Sequence, residues 1–189
     1  SIIPALREML TNHTDPRARL HAFFTLEGLN ALDIATVKQA MQDHQPEIRT
    51  YGVMLAERFP ATLPQIIEKA RDSSVLVAFQ AALSLGQFPA QHVTPALASL
   101  LEQYGKDPWF RMAILSSEAG SSVALARQLV QNGLFFKVQT PEANAFLHGL
   151  AFVIGSRKRG NEAPELATLF DKQPHWKASV TNGLAEGKK

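Results

Sequence analysis

The sequence predicts an all-α protein, a right-handed solenoid of about five stacked helix pairs ending in an irregular helical C-terminal cap. Three observations carry this. A short pattern recurs four times in the 189 residues: Asp15-Pro16-x-Ala18-Arg19, Gln45-Pro46-x-Ile48-Arg49, Ser74-Val75-x-Val77-Ala78 and Asp107-Pro108-x-Phe110-Arg111. Its anchors, at positions 16, 46, 75 and 108, lie about thirty residues apart, the length of a two-helix repeat. Between the copies apolar residues fall at i, i+3, i+4 and i+7, which marks one face of a helix, and no run alternates with period two long enough to make a strand.

Each element follows in order. An opening helix carries Ile2, Ile3, Leu6, Met9 and Leu10. The first repeated helix starts at Pro16, whose missing N–H costs nothing in a first turn, and Gly28 stands where a C-cap is wanted. The next helix places Ile34, Val37, Ala40 and Met41 on one face, and the second repeated helix follows from Pro46. Leu63, Ile66, Ile67 and Ala70 mark another, then the third copy from Val75 runs to a cap at Gly86. Val93, Ala96, Leu97, Leu100 and Leu101 lead to the fourth copy, closed near Gly120, and Ala124, Leu125, Leu129 and Val130 to one more helix. Regular repeats are thus expected over 1–132. Divergent capping helices follow over 133–189: Phe135 to Thr140 as a connector, then helices over Pro141–Ser156, Pro164–Asp171 and Pro174–Glu186, with Arg157-Lys158-Arg159-Gly160-Asn161 as a solvated turn. No pair can bury its apolar stripe alone, so neighbours must stack, and a single domain results.

Composition agrees and excludes several classes. With 46% hydrophobic and 19% charged residues the chain is too apolar to be disordered. The net charge of +2 divides into −1 over 1–94 and +3 beyond, with no basic field of the kind that drives nucleic-acid binding. The absence of Cys removes disulfides, thiolate metal sites, a cysteine nucleophile and covalent haem attachment. Ser73 to Leu101 has no charge, yet Gly86, Pro89 and Pro95 interrupt it, so it does not predict a membrane span. The chain begins Ser1-Ile2-Ile3-Pro4 with no targeting pattern and reads as a processed chain or a piece of a longer protein.

The repeat resembles HEAT repeats, whose pattern Asp-Pro-x-Val-Arg-x-x-Ala-Ala-x-Ala-Leu-Gly is visible in all four copies. The third copy departs most, with Ser74-Val75 for Asp-Pro and Ala78 for Arg. Arg19, Arg49 and Arg111 are expected to form a ladder between repeats, since charged side chains at such an edge pair up. Longer strings look more specific: Phe24-Thr25-Leu26-Glu27-Gly28-Leu29, Ala82-Leu83-Ser84-Leu85-Gly86, Asp107-Pro108-Trp109-Phe110-Arg111 and Asn182-Gly183-Leu184-Ala185-Glu186-Gly187. These resemble the helical-repeat region of large bacterial secreted proteins, the haem-binding, membrane-bound-dehydrogenase-type multidomain family. The resemblance implies a periplasmic or exported parent in which these repeats lie between a β-propeller and a cytochrome c domain. It implies a non-catalytic docking or spacer role, with protein or neighbouring domains as partners. No Cys-x-x-Cys-His or glycine-rich nucleotide fingerprint is present, so no cofactor is expected on these residues.

Helical geometry then assigns faces. Counting from each anchor at about 100° per residue, offsets 2, 6, 9 and 10 form the core arc and offsets 1, 4, 5, 8 and 11 the opposite arc. An ordinary solvated arc is charged. Here it holds His21, Phe24 and Glu27, then Tyr51, Met54 and Glu57, then Phe79 and Gln80, then Trp109 and Met112. Two explanations stand: a broad core shared with neighbouring repeats, or a concave groove covered by a partner, whose typical residues are these. Full burial of Phe79 and Trp109 by the chain's own repeats would favour the former.

Other chemistry is weaker. The six His residues have no ligand spacing, and only His21, near Glu27, could share the groove. Ser116-Ser117 and Ser121-Ser122 lack a nucleophile-elbow context. Glu27 and Glu57 recur at one offset and read as hydrogen-bonding groups of the groove rather than an acid–base pair. The alternative from another class is a HEAT-like nucleic-acid binder or alkylpurine DNA glycosylase, but Glu27, Glu47 and Glu57, the last two at offsets 1 and 11 of the second copy, oppose phosphate on this arc.

Overall fold

The computed structural model describes residues 2–189, the side chain of Asn132 excepted. Among these residues there are twelve α-helices and no strand: α1 (Ile3–Asn12), α2 (Pro16–Gly28), α3 (Ile34–Ala40), α4 (Pro46–Ala56), α5 (Leu63–Lys69), α6 (Val75–Leu85), α7 (Ala90–Tyr104), α8 (Pro108–Leu115), α9 (Val123–Asn132), α10 (Pro141–Arg157), α11 (Glu162–Phe170) and α12 (Pro174–Gly187). A 3-10 turn over Pro60–Thr62 precedes α5. The described residues are all-α and built of HEAT-like helix pairs.

Local sequence explains the starts. Asp15, Asp33, Asp107, Ser122 and Thr140 each accept a first-turn N–H of the helix they precede, which satisfies an otherwise orphaned donor. Pro16, Pro46, Pro108, Pro141 and Pro174 open their helices where no N–H is needed. Two expectations about breaks differ. Pro95 lies inside α7, exposed to solvent, and its helix continues to Tyr104. The left-handed residue after α2 is Asn30 (φ 53°), one of the residue types that tolerates that region, rather than Gly28.

The chain divides into two compact units, Ser1–Ser84 and Leu85–Lys189, a division absent from the single-domain expectation with its break at 132/133. In the first, α1 packs on α2 and α3 on α4, while α1 against α3 and α2 against α4 stack one pair on the next. Phe23, Leu26, Val37, Met41, Ile48 and Ile66 fill this core and are fully buried. Each such side chain contributes roughly 1.5–3 kcal/mol relative to exposure. The repeat offsets need one adjustment. Offset 7 joins the core at Phe23, Val53 and Ala82, while offset 9 is buried at Leu55 and Ser84 but exposed at Thr25, whose hydroxyl turns back to the His21 carbonyl at 2.7 Å.

In the second unit α7 packs on α9 and α9 on α11, while α8 packs on α10 and α10 on α12. The helices expected as an irregular cap therefore continue both layers. Among the described helices of the second unit, the α10–α12 contact is the most extensive. It depends on glycine: a Cβ on Gly183 would stand 2.5 Å from the His148 carbonyl oxygen and 2.7 Å from Ala151 Cβ. Around the 134–137 turn, Phe136 meets Trp176 at 5.2 Å and Phe170 at 5.5 Å, both edge-on, the favoured aromatic geometry.

Candidate functional site

Two constellations were singled out by sequence, the edge arginines and the outer arc of the repeated helices. The arginines arise from one local rule. Each sits at offset 3, in the first turn of its helix, so that its guanidinium lies over the loop just before that helix. Arg19 donates to the carbonyls of His13 and Thr14, Arg49 to those of Asp43 and His44, and Arg111 to those of Gly105 and Lys106, all within 3.2 Å.

In the first unit the guanidinium also reaches the next loop. Arg19 makes a bidentate pair with Asp43 (both 2.8 Å) and Arg49 with Asp72 (3.0 and 2.7 Å). All four side chains are nearly enclosed, at 10%, 9%, 13% and 6% exposure. Burial alone would raise the Asp43 carboxyl, but Arg19 and the Gln45 N–H hold it below the ordinary carboxylate value. Asp72 is depressed against the same burial cost by Arg49, the Ser74 N–H and Lys69. Asp43 and Asp72 were absent from the sequence reading. The signal was available: each stands three residues before the next anchor, matching an arginine three residues after the previous one.

On the outer arc of the first unit the side chains are partly open. His21 and Tyr51 are exposed, and Phe24, Glu27, Met54, Glu57, Phe79 and Gln80 are half-buried. Phe24 and Tyr51, at offsets 8 and 5 of α2 and α4, meet edge-on at 4.8 Å. Glu27 pairs with Arg58 at 3.3 Å, not with His21. Glu57 accepts a hydrogen bond from the Ser84 hydroxyl at 2.5 Å, and Ser84 accepts one from Gln80 at 3.1 Å. Arg58 and Ser84 are further groups that sequence reasoning missed: Arg58 stands at offset 12, outside both arcs, and Ser84 at offset 9, on the arc assigned to the core. Glu47 opens α4 as an exposed carboxylate in its first turn.

In the second unit Trp109 and Met112 lie on α8, exposed at 65% and 60%. Full burial of Phe79 and Trp109 is therefore not observed. Asp107 caps α8 through the Trp109 N–H and so fixes where the indole leaves the helix.

The remaining candidates are structural. Arg157, expected on a solvated turn, is half-buried and donates to the Ser121 carbonyl and hydroxyl, so it closes α10 onto the α8–α9 turn. Arg159 pairs with Glu118 at 2.6 Å. Ser117 and Ser121 spend their hydroxyl protons on nearby carbonyls. His13 accepts the Asp15 N–H and His148 meets Glu186 at 3.2 Å across α10 and α12. A polar cleft of about 420 Å³ lies beside His13, His44 and the Arg19–Asp43 pair. Among the described residues no group of three or more His, Asp or Glu is placed to hold a metal, and no helix is long and apolar enough to cross a membrane.

Comparison with known proteins corrects the functional expectation. No family model and no curated protein matches the chain. Among solved structures it is similar to human deoxyhypusine hydroxylase in complex with glycerol, at 17% identity over 99% of this chain and 85% of that one, with a TM-score of 0.43. That protein is an enzyme and not a haem-binding or dehydrogenase-type protein. The resemblance to the secreted multidomain family is therefore overturned. With it go the non-catalytic scaffold that it implied and the expectation that the chain is no enzyme.

Proposed function

We propose that the chain recognises a polypeptide through the outer face of α2 and α4, and that the bound segment is extended, with an apolar residue between two basic ones. The observation that supports this most is the layout of α4. Glu47 and Glu57 stand at its two ends, ten residues and therefore about 15 Å apart, with Tyr51 and Met54 between them. An extended segment of the form basic-x-apolar-x-basic puts its three side chains on one face over about 13 Å, a match in length and charge.

Phe24 stands edge-on to Tyr51 and widens the apolar strip, and Arg58 is already neutralised by Glu27. Phe, Tyr and Met are the types on which interface energy concentrates. Phe79 and Gln80 extend the strip onto α6, with Glu57 and Ser84 fixing the Gln80 amide.

The test uses the four methionines as reporters, because Met41 is buried while Met54 is half-open. The full chain, carrying methyl-labelled methionine, is titrated with a synthetic nonapeptide centred on Lys-Ser-Leu-Ser-Lys and with its Glu-Ser-Leu-Ser-Glu counterpart. The basic peptide should shift the Met54 methyl saturably and leave Met41 unmoved. Glu47→Gln with Glu57→Gln should weaken that binding about tenfold, or ~1.4 kcal/mol. Equal responses to both peptides, or no response at Met54, would end the proposal.

A further inference from the structure

The ladder obeys an arithmetic that stops at one place. Its arginines stand three residues after an anchor (19, 49) and its aspartates three residues before the next (43, 72). The third rung would join positions 78 and 105. Position 78 is Ala78, fully buried, and position 105 is Gly105. Neither carries a charge.

Gly105 is not simply vacant of an acid. A Cβ there would run into the Phe135 ring and the Leu101 carbonyl oxygen. Phe135 is held over it because the Glu102 carboxylate accepts the N–H groups of Leu134 and Phe135 at 2.6 and 2.9 Å, and because its ring meets Phe146 edge-on at 5.7 Å. The position that continues the ladder elsewhere has been given over to the internal packing of the second unit. Both ends of the rung are thus lost, and one of them cannot be restored by a single substitution.

We infer that the chain unfolds as two separate cooperative blocks, Ser1–Ser84 and Leu85–Lys189, because the ionic ladder terminates inside the first. In a linear array of repeats cooperativity is carried by nearest-neighbour terms, and a block whose own rungs are complete opens as a unit. The first block is tied by Arg19–Asp43 and Arg49–Asp72. The second is tied by the glycine-tight α10–α12 contact and the rings around Phe136, which involve none of those residues. The consequence is a conformational device: α1–α5 and most of α6 can open while α7–α12 stay folded. This inference does not depend on the binding proposal.

The two tryptophans make the test direct, since Trp109 and Trp176 both belong to the second unit and Trp176 is fully buried. The full chain is unfolded in urea, with helical circular dichroism and tryptophan emission followed together. Two dichroism transitions are expected, only one of which the emission follows. Asp43→Asn should raise the unfolding constant of the other transition about a hundredfold or more and leave the emission midpoint in place. Gly183→Ala should do the reverse. If Asp43→Asn unfolds its block outright, helical signal is lost at zero urea while emission stays native, which supports the inference equally. A single transition, coincident by both probes and moved by both substitutions alike, would overturn it.

Discussion

Asp72→Asn probes the second rung most cleanly. Asp72 accepts two bonds from Arg49, caps the turn through the Ser74 N–H at 3.0 Å and lies 3.5 Å from Lys69. The amide keeps the shape and one acceptor oxygen but removes the charge facing two cations. Arg49 is only 13% exposed, so water cannot take the place of the carboxylate. Removing one partner of an enclosed pair costs about 3–5 kcal/mol, several times the ~0–1 kcal/mol of an exposed pair. Arg49→Met should cost at least as much, since it also leaves the Asp43 and His44 carbonyls without their donor, at roughly 1 kcal/mol each. The double variant Arg49→Met with Asp72→Leu should recover much of the loss, because an apolar pair carries no desolvation penalty. Urea unfolding of the wild type, Arg49→Met, Asp72→Leu and the double variant closes a double-mutant cycle and, with Asp72→Asn measured beside it, checks this. A loss below about 1 kcal/mol for Asp72→Asn, or a double variant as damaged as the sum of the singles, would refute the claim that the rung acts as an enclosed ion pair.

Further outcomes follow from the same geometry. Asp43 and Asp72 have folded pKa values below the ordinary value of 3.8, so their stabilisation is fully present above that value and is lost as pH falls through the folded pKa. Acid titration below about pH 4 should therefore melt Ser1–Ser84 progressively, read as lost helical dichroism, and Asp43→Asn should blunt the effect. Gly183→Ala should cost about 1–3 kcal/mol through overpacking against His148 and Ala151, despite alanine's better helix propensity; a gain in thermal stability would contradict the packing described. Arg58→Ala removes an exposed pair with Glu27 and should change stability by less than about 1 kcal/mol, a null result that differential scanning calorimetry can confirm or deny.

Much of this architecture was legible in the residues. Capping aspartates before Pro16 and Pro108 set helix starts to within a residue, because both the cap and the proline act locally. Features set by distant partners were hidden. Arg157 looked like one charge of a solvated turn, and only the tertiary approach of Ser121 encloses it. Pro95 read as a break, yet α7 carries it on its solvent side in the second turn, where the ring has room. The outer arc was legible as an anomaly in charge and aromatic content. Its pairing of Phe24 with Tyr51 required the stacking distance between α2 and α4, which no single helix encodes. The long strings that resembled a secreted multidomain family misled because stacked helices select small and aliphatic residues at the same offsets whatever the parent protein does.

Asp43 serves two arginines at once, offering its carboxylate to Arg19 and its main-chain oxygen to Arg49. Together with the Arg49–Asp72 pair, this gauges the spacing of three successive helix pairs by the width of a planar cation rather than by how side chains happen to fill the interior. Hydrophobic residues beneath can drift in volume without altering the pitch, but the short turn between Met41 and Pro46 cannot change length. One inserted residue there would pull both acceptors off their forks together.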